Sequence, residues 1–161
     1  MLRVLSVLGC LAPLPALALS CVPYGVPDAY QEAAAAEDGY VPVLGQIDFD
    51  PDLLPEVDWN NQQDVPPTTL IPATFRGDAL SVRGVAQPFE TDVVLEVQCF
   101  GPWCPQPRPG RALAFLRQTS HSYVLSTTAC GGFLFDQPTA SQIKEVEECL
   151  AGRACRAYAT R

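Results

Sequence analysis

The sequence predicts a mainly β fold, a small five-stranded antiparallel barrel with a helix at each end, cross-linked by disulfides. Three observations predict it. Five apolar stretches are separated by glycine and proline residues. Two further stretches, one near each end, have the composition or the periodicity of helices. Six cysteines follow an apolar leader, which is typical of an exported, disulfide-bonded domain.

Residues 1–20 have the features of a secretory signal peptide. Arg3 is their one charged residue, the remainder is almost entirely apolar, and Ala-Leu-Ala precedes the expected cleavage site. We expect cleavage after Ala18, with cleavage after Ser20 as the alternative. Two prolines interrupt the apolar stretch before it reaches the length of a membrane span. The sequence therefore predicts one domain, residues 21–161, that is exported to the periplasm or secreted.

A lipid anchor is the competing interpretation, because Ser20-Cys21 and Gly9-Cys10 loosely resemble acylation sites. Removal of the leader takes Cys10 with it and leaves six cysteines. An even number is expected when all are paired, whereas acylation of Cys21 would leave one cysteine without a partner. We therefore disfavour the anchor. The six are Cys21, Cys99, Cys104, Cys130, Cys149 and Cys155.

The charge of the chain excludes some classes of partner. The net charge is −8, and removal of Arg3 with the leader makes it −9 (−8 − 1). Nucleic-acid binders of the usual basic kind and surfaces attracted to anionic lipid carry the opposite sign. We expect no nucleic acid among the partners. The acidity also serves to keep an exported domain soluble.

The mature chain begins with a helix and a strand. Residues 26–40 predict a short helix, with proline and aspartate at its start, four alanines inside it and Gly39 at its end. Residues 40–49 predict the first strand. Residues 48–72 are acidic, rich in amides and rich in proline, and we interpret them as a long ordered loop that carries Trp59.

Four more strands and a second helix follow. Glycines and prolines, Gly77 among them, punctuate the strands, which are predicted at 73–82, 91–100, 111–118 and 123–130. The second helix is predicted over 141–152, capped by Thr139 or Ser141, with Gln142 in capping-box position relative to Thr139. Its predicted buried stripe is Ile143, Val146 and Leu150, with Cys149 beside it.

Cys99 and Cys104 flank the sequence Phe-Gly-Pro-Trp, which raises the question of redox activity. Thiol-disulfide oxidoreductases place two cysteines two residues apart at the start of a helix, where the dipole lowers one thiol pKa. Here four residues intervene, and the following Pro-Gln-Pro-Arg-Pro-Gly does not form a helix. We interpret the pair as structural, either bonded to each other across the turn or each bonded elsewhere.

No other pattern in the sequence favours catalysis, and we expect a protein that is not an enzyme. His121 is the only histidine, and one histidine without clustered thiols makes a poor zinc site or catalytic base. Asp48, Asp50 and Asp52 alternate as in a calcium loop, but the glycine and the closing glutamate are absent. We expect no metal and no cofactor.

The order of elements resembles that of the bacterial relatives of tissue inhibitors of metalloproteinases. The resemblance lies in the opening "SCVPYGVPDAYQEAAAAEDGYVPVLGQI", in "ATFRG" and "DVVLEVQCFGPWC", in "GRALAFLRQTSHSYVLSTTACGG", and in "PTASQIKEVEECL". It spans most of residues 20–155. It implies a five-stranded barrel of the oligonucleotide/oligosaccharide-binding (OB) type, in its netrin-like version, stapled by disulfides.

The resemblance also implies a disulfide pairing and a possible activity. Cys21 would bond to Cys130, Cys99 to Cys104, and Cys149 to Cys155. In the inhibitors, an N-terminal cysteine chelates the zinc of the protease through its free α-amine and carbonyl group. Leu19 stands here where the inhibitors have that cysteine. Cleavage before Cys21 would restore an N-terminal cysteine, whereas cleavage before Leu19 would not.

We therefore expect an exported, non-catalytic binding module. Trp59 and Trp103, each in a proline-constrained loop, are the candidate contacts, together with Cys21. The alternative is that both indoles only cap the ends of the barrel. An inhibitor of an extracytoplasmic metalloprotease, acting through its N-terminal segment, is the alternative function. A thiol-disulfide oxidoreductase that uses Cys99 and Cys104 is the second alternative.

Overall fold

The computed structural model describes residues 19–81 and 86–158. These residues form a mainly β fold, a closed barrel of five strands with two helices and three disulfides. The leader up to Ala18 lies outside the described residues, as does the last residue of the strand predicted over 73–82. Within the described ranges, no helix is both long enough and apolar enough to cross a bilayer.

Two helices flank the strands in the order of the chain. Helix α1 (Val26–Ala35) comes first and helix α2 (Ala140–Leu150) last. The barrel strands are β1 (Tyr40–Phe49), β2 (Thr68–Ala79), β3 (Gln87–Gln98), β4 (Gly110–Gln118) and β5 (Tyr123–Thr128). Two short strands that the sequence did not predict follow, β6 (Gly131–Gly132) and β7 (Leu134–Asp136). Single 3₁₀ turns lie at Pro51–Leu53 and Gln62–Asp64.

The strand order has the form of a Greek key. Strands β1, β2 and β3 pair antiparallel in sequence, and β4 returns to pair with the other side of β1. Strand β5 closes the ring between β3 and β4. The β3–β5 pairing is parallel, so the prediction of a wholly antiparallel barrel is wrong at this seam. A closed ring with an odd number of strands cannot alternate direction throughout, and one parallel pairing is therefore required.

Helix α1 is shorter than the sequence predicted. It ends at Ala35 rather than at Gly39, and Ala36 is already extended. The four residues after the helix carry the chain to the barrel, where the Gln118 N–H donates to the Gly39 carbonyl at 2.8 Å. Arg117 also pairs with Asp38 at 3.2 Å. The alanine run favours a helix, but these tertiary contacts at its C-terminal side end it earlier.

Helix α2 begins as predicted. Thr139 is its N-cap, and its hydroxyl accepts from the Gln142 N–H at 3.3 Å while the Gln142 side chain accepts from the Thr139 N–H at 2.9 Å. This reciprocal pair is the predicted capping box. The buried stripe is narrower than predicted, because only Val146 and Cys149 are fully buried. Ile143 and Leu150 are half-buried.

Gly77 lies inside β2, as it does in the strand predicted over 73–82. It pairs directly with Gly45 of β1, and the two backbones approach very closely there. A Cβ atom on Gly45 would overlap the Arg76 carbonyl oxygen and would lie 2.6 Å from Gly77 Cα. Glycine is used here for close backbone approach and not for a turn.

The predicted loop 48–72 shortens to residues 50–67. Strand β1 continues to Phe49, and β2 begins at Thr68. The proline at position 72 misled the prediction, since a proline usually lies outside a strand that pairs on both sides. The early part of β2 nevertheless pairs with β3 from Thr68↔Gln98 onward.

The core fills the barrel and extends under α1. Inward-facing side chains alternate along β2 and β3, as in Ile71, Phe75 and Leu95, which are fully buried. Strand β4 is buried on both faces over residues 112–116, because α1 covers its outer side. Phe133 joins this cluster with its ring centroid 4.7 Å from that of Tyr40.

Thr69 places an unsatisfied polar group in this packing. Its hydroxyl oxygen is buried and has no hydrogen-bond partner among them. An unpartnered buried hydroxyl costs about 1–3 kcal/mol of desolvation. We therefore expect Thr69→Val, which keeps the shape of the side chain, to raise the free energy of unfolding by about 1 kcal/mol. Urea denaturation measures the change, and Thr69→Ser, which keeps the hydroxyl, should not stabilise.

Candidate functional site

The two loops that carry tryptophan lie side by side and enclose a cavity of about 850 Å³, which we call the tryptophan groove. One wall comes from the loop after β1 and the other from the loop after β3. Trp59 and Trp103 both line it. The remaining lining residues are Leu19, Pro51, Asp52, Leu54, Pro55, Glu56, Val57, Pro102, Cys104, Pro105, Gln106, Thr128 and Ala129.

The first wall is held by hydrogen bonds around Trp59. The Asp58 carboxylate accepts from the Asn60 N–H at 2.8 Å and from the Asn61 side chain at 2.9 Å. These bonds, with the backbone bond from Asn60 the stronger influence, lower the pKa of Asp58 below its ordinary value. The Gln62 side chain donates to the Trp59 carbonyl at 3.1 Å. The loop is thus ordered, yet the Trp59 side chain remains 64% exposed.

The second wall is a tight turn closed by a disulfide. Cys99 bonds to Cys104, with 4.3 Å between their Cα atoms. Phe100 and Trp103 form a backbone bridge inside the turn, with N–H···O distances of 2.9 and 3.2 Å. Gly101 has φ +59°, a conformation that suits glycine. Trp103 is half-buried and is held in place by this closed turn.

The N-terminal segment lies beside the same groove. Leu19 lines it, as does Ala129 from the turn after β5. Cys21 bonds to Cys130 with a Cα–Cα distance of 5.3 Å, which fixes the segment to this turn. The two tryptophan walls are themselves joined where the Gln106 side chain donates to the Pro55 carbonyl at 3.5 Å. Trp59 and Trp103 therefore line one groove, whereas Cys21 does not line it and is connected to it through Leu19 and the turn at Ala129.

The three disulfides of the structure are Cys21–Cys130, Cys99–Cys104 and Cys149–Cys155. They are the pairs that the family resemblance implied. Cys99 is only 6% exposed, and residues 105–109 after Cys104 form no helix. No helix follows the pair to lower a thiol pKa, and Cys99 is buried, whereas Cys104 is half-buried and lines the tryptophan groove.

The ionisable side chains that line the tryptophan groove are the carboxylates of Asp52 and Glu56, with neither histidine nor lysine among the described lining residues. His121 lies elsewhere, exposed in the turn between β4 and β5. Within residues 19–81 and 86–158, no three His, Cys, Asp or Glu side chains are placed to hold a metal ion. Asp50 instead caps the 3₁₀ turn, accepting from the Asp52 N–H at 3.0 Å.

The packing of the two indoles bears on the alternative interpretation, in which they only cap the ends of the barrel. Neither belongs to the buried core cluster, and an indole as exposed as Trp59 leaves most of its surface in water. Tryptophan side chains are enriched at protein interfaces. Sequence reasoning found both tryptophans but gave no reason to place their loops together.

Sequence reasoning missed a second cavity on the outer surface of the sheet, beside Leu70 and Val94. A signal for it was present. Leu70-Ile71 and Val93-Val94-Leu95 place apolar residues at consecutive positions, whereas a strand with one solvated face alternates apolar and polar residues. The outward-facing apolar residues of these strands mark the cavity.

Comparison of the chain with known protein families, curated proteins and solved structures finds no match.

Proposed function

We propose that this protein is an exported, non-catalytic binding module that holds a protein partner in the tryptophan groove. The observation that carries the proposal is the meeting of Trp59 and Trp103 in one preformed groove, with the Trp59 side chain 64% exposed. Three disulfides support an oxidising compartment outside the cytoplasm.

We also propose that the barrel is of the netrin-like OB type. The five-stranded ring, the Greek-key order of β4, β1, β2 and β3, and the helices at both ends support this assignment. In this fold the loop between the first two strands is part of the ligand-binding surface. That loop forms one wall of the tryptophan groove.

The groove has the physical properties of a contact site. A volume of about 850 Å³ lies within the range of ligand pockets and suits one or two anchoring side chains. Prolines and the Cys99–Cys104 disulfide fix its walls before binding, which reduces the conformational entropy that binding costs. Tryptophan is the residue that most often dominates such contacts.

We expect Trp59→Ala to weaken capture of the partner at least tenfold, because a central indole contributes about 2 kcal/mol or more. Immobilised wild-type and variant protein would be exposed to the same concentrated culture medium or periplasmic extract. Leu53→Ala is the matched control, since Leu53 is 49% exposed in the same loop but does not line the groove. A partner retained equally by wild type and Trp59→Ala would contradict the proposal.

A second candidate function is inhibition of a zinc protease through the N-terminal segment. Its support is the position of Leu19 on the groove and the bond from Cys21 to Cys130 on the same face. Chelation of zinc needs the free α-amine of Cys21, and hence cleavage after Ser20. Mature protein beginning at Cys21 should slow a zinc protease, and protein beginning at Leu19 should not. Equal effects of the two forms would rule out this mechanism.

A further inference from the structure

The outer surface of β1, β2 and β3 carries a second cavity of about 850 Å³, which we call the sheet groove. It shares no lining residue with the tryptophan groove. Its floor lies on β2 and β3, and the turn before β5 contributes Ser122 to one side. The side chains that the argument uses are Asp48, Asp50, Leu70, Pro72, Asp92 and Val94.

The floor of the sheet groove is apolar. Leu70, Pro72 and Val94 occupy the outward positions, and their neighbours Ile71 and Val93 point into the barrel. Pro72 is directly opposite Val94 in the β2–β3 register. Leu70 is 63% exposed, which makes it one of the most exposed large apolar side chains of the described residues. An apolar floor of this kind favours a ligand with an apolar side chain.

The rim of the sheet groove is acidic. Asp48 and Asp92 both pair with Thr74, so the two carboxylates belong to one row across three strands. At the usual strand spacing they are roughly 10 Å apart. Asp50 adds a third carboxylate. Uncompensated like charges around one cavity create a field that attracts cations.

None of these three carboxylates is in a salt bridge with a described residue. Arg76, two positions beyond Thr74 on β2, is bonded to Glu90 at 2.7 Å instead. Arg76 still interacts electrostatically with Asp48, but it is directly paired with Glu90. The rim therefore keeps a net negative charge, in a chain whose net charge is already −8.

We propose that the sheet groove binds an extended peptide segment that carries an apolar side chain between two basic residues. The apolar side chain would cover Leu70, Pro72 and Val94, and the ammonium or guanidinium groups would pair with Asp48, Asp50 and Asp92. Binding would occur through side chains on the outer face of the sheet. Strand β2 pairs with β1 only from Ala73 onward, so Leu70 and Pro72 lie beyond the end of β1 and are paired with β3 alone. An acidic ligand would be repelled by the rim, and an uncharged one would leave its carboxylates unpaired.

The test uses short peptides with blocked ends and the intact mature protein. The probe is Lys-Ser-Leu-Ser-Lys, in which lysines and leucine share one side of an extended chain. Glu-Ser-Leu-Ser-Glu and Lys-Ser-Ser-Ser-Lys are the controls for charge and for the apolar contact. Titration followed by amide NMR should shift residues 70–74 and 92–94 with the probe, and the affinity should fall as salt is raised.

Variants of the rim and the floor separate the two contributions. Each exposed ion pair changes affinity about threefold, so Asp48→Asn with Asp92→Asn should weaken the probe roughly tenfold. Leu70→Ser should weaken it about fivefold or more. Glu147 is an exposed carboxylate on α2, outside the sheet groove. The control Glu147→Gln removes one negative charge there and should leave the affinity for the probe within about twofold of the wild-type value. All these sites are exposed, and thermal melts verify that each variant folds.

Three outcomes would overturn the proposal. One is binding of the glutamate peptide as tightly as the lysine peptide. Another is an unchanged affinity in the Asp48→Asn, Asp92→Asn variant. The third is the absence of shifts at residues 70–74 and 92–94 at millimolar probe. Since Trp59 lies outside the sheet groove, the Trp59→Ala variant should bind the probe with the wild-type affinity. The peptide test therefore does not depend on the function proposed for the tryptophan groove.

Discussion

Replacing both Cys21 and Cys130 with serine is expected to lower the free energy of unfolding by about 5 kcal/mol. The bond joins residues separated by 109 positions, and closing so long a loop removes much of the entropy of the unfolded chain. The loss would approach the whole stability of a small domain. The variant should therefore be largely unfolded near body temperature, and urea denaturation at low temperature would measure the remaining stability.

The matched control is the double replacement of Cys99 and Cys104. Their separation is 5 residues, for which the same entropic argument gives about 2 kcal/mol. The long bond should therefore matter more than twice as much as the short one. Equal losses in the two variants would mean that the disulfides do not act mainly on the unfolded chain.

Gly45→Ala is expected to destabilise the protein by at least about 3 kcal/mol, at the upper end for overpacking. The added Cβ would overlap the Arg76 carbonyl oxygen and crowd Gly77 Cα at 2.6 Å. These are backbone atoms of a paired strand, so the clash is relieved only by separating β1 from β2. The midpoint of urea unfolding measures the change.

Gly39→Ala is the control for Gly45→Ala. A Cβ at Gly39 would meet only the Gln118 side-chain oxygen, at 3.9 Å. Replacement there should change stability by less than about 1 kcal/mol, and a small gain is allowed because alanine restricts the unfolded chain. If Gly45→Ala were as mild as Gly39→Ala, the close approach of β1 and β2 would be wrong.

The elements that depend on local chemistry were predictable. Thr139 and Gln142 identify the start of α2 because the capping box is made within four residues. The first strand was predicted with the bounds Tyr40–Phe49 that the structure has, because its own residues favour a strand. In these places the signal and the structure are both local.

The features that depend on distant parts of the chain were not predictable. Gly77 falls inside the strand predicted over 73–82, but only its pairing with Gly45 shows why a glycine is needed there. The end of α1 is set by contacts of Gly39 and Asp38 with β4. Pairing registers of this kind are properties of the whole barrel and leave no short-range pattern.

The candidate site divides in the same way. Trp59 and Trp103 could each be predicted as a contact residue, since each is an aromatic residue in a proline-rich loop. Their meeting in one groove follows from the closure of the barrel, which brings the loop after β1 beside the loop after β3. The sheet groove was missed because strand patterns were used to find the core, and outward apolar residues such as Leu70 were not considered as a surface.

The central claim is that every cysteine of the mature chain serves in a cross-link that holds a non-catalytic binding barrel. The most direct test is mass spectrometry of the exported protein, purified without reductant and treated with iodoacetamide before digestion. The claim predicts no alkylated cysteine and the linked peptides Cys21–Cys130, Cys99–Cys104 and Cys149–Cys155. Alkylation of Cys99 or Cys104 in the native protein would contradict it and would favour a reactive thiol pair instead.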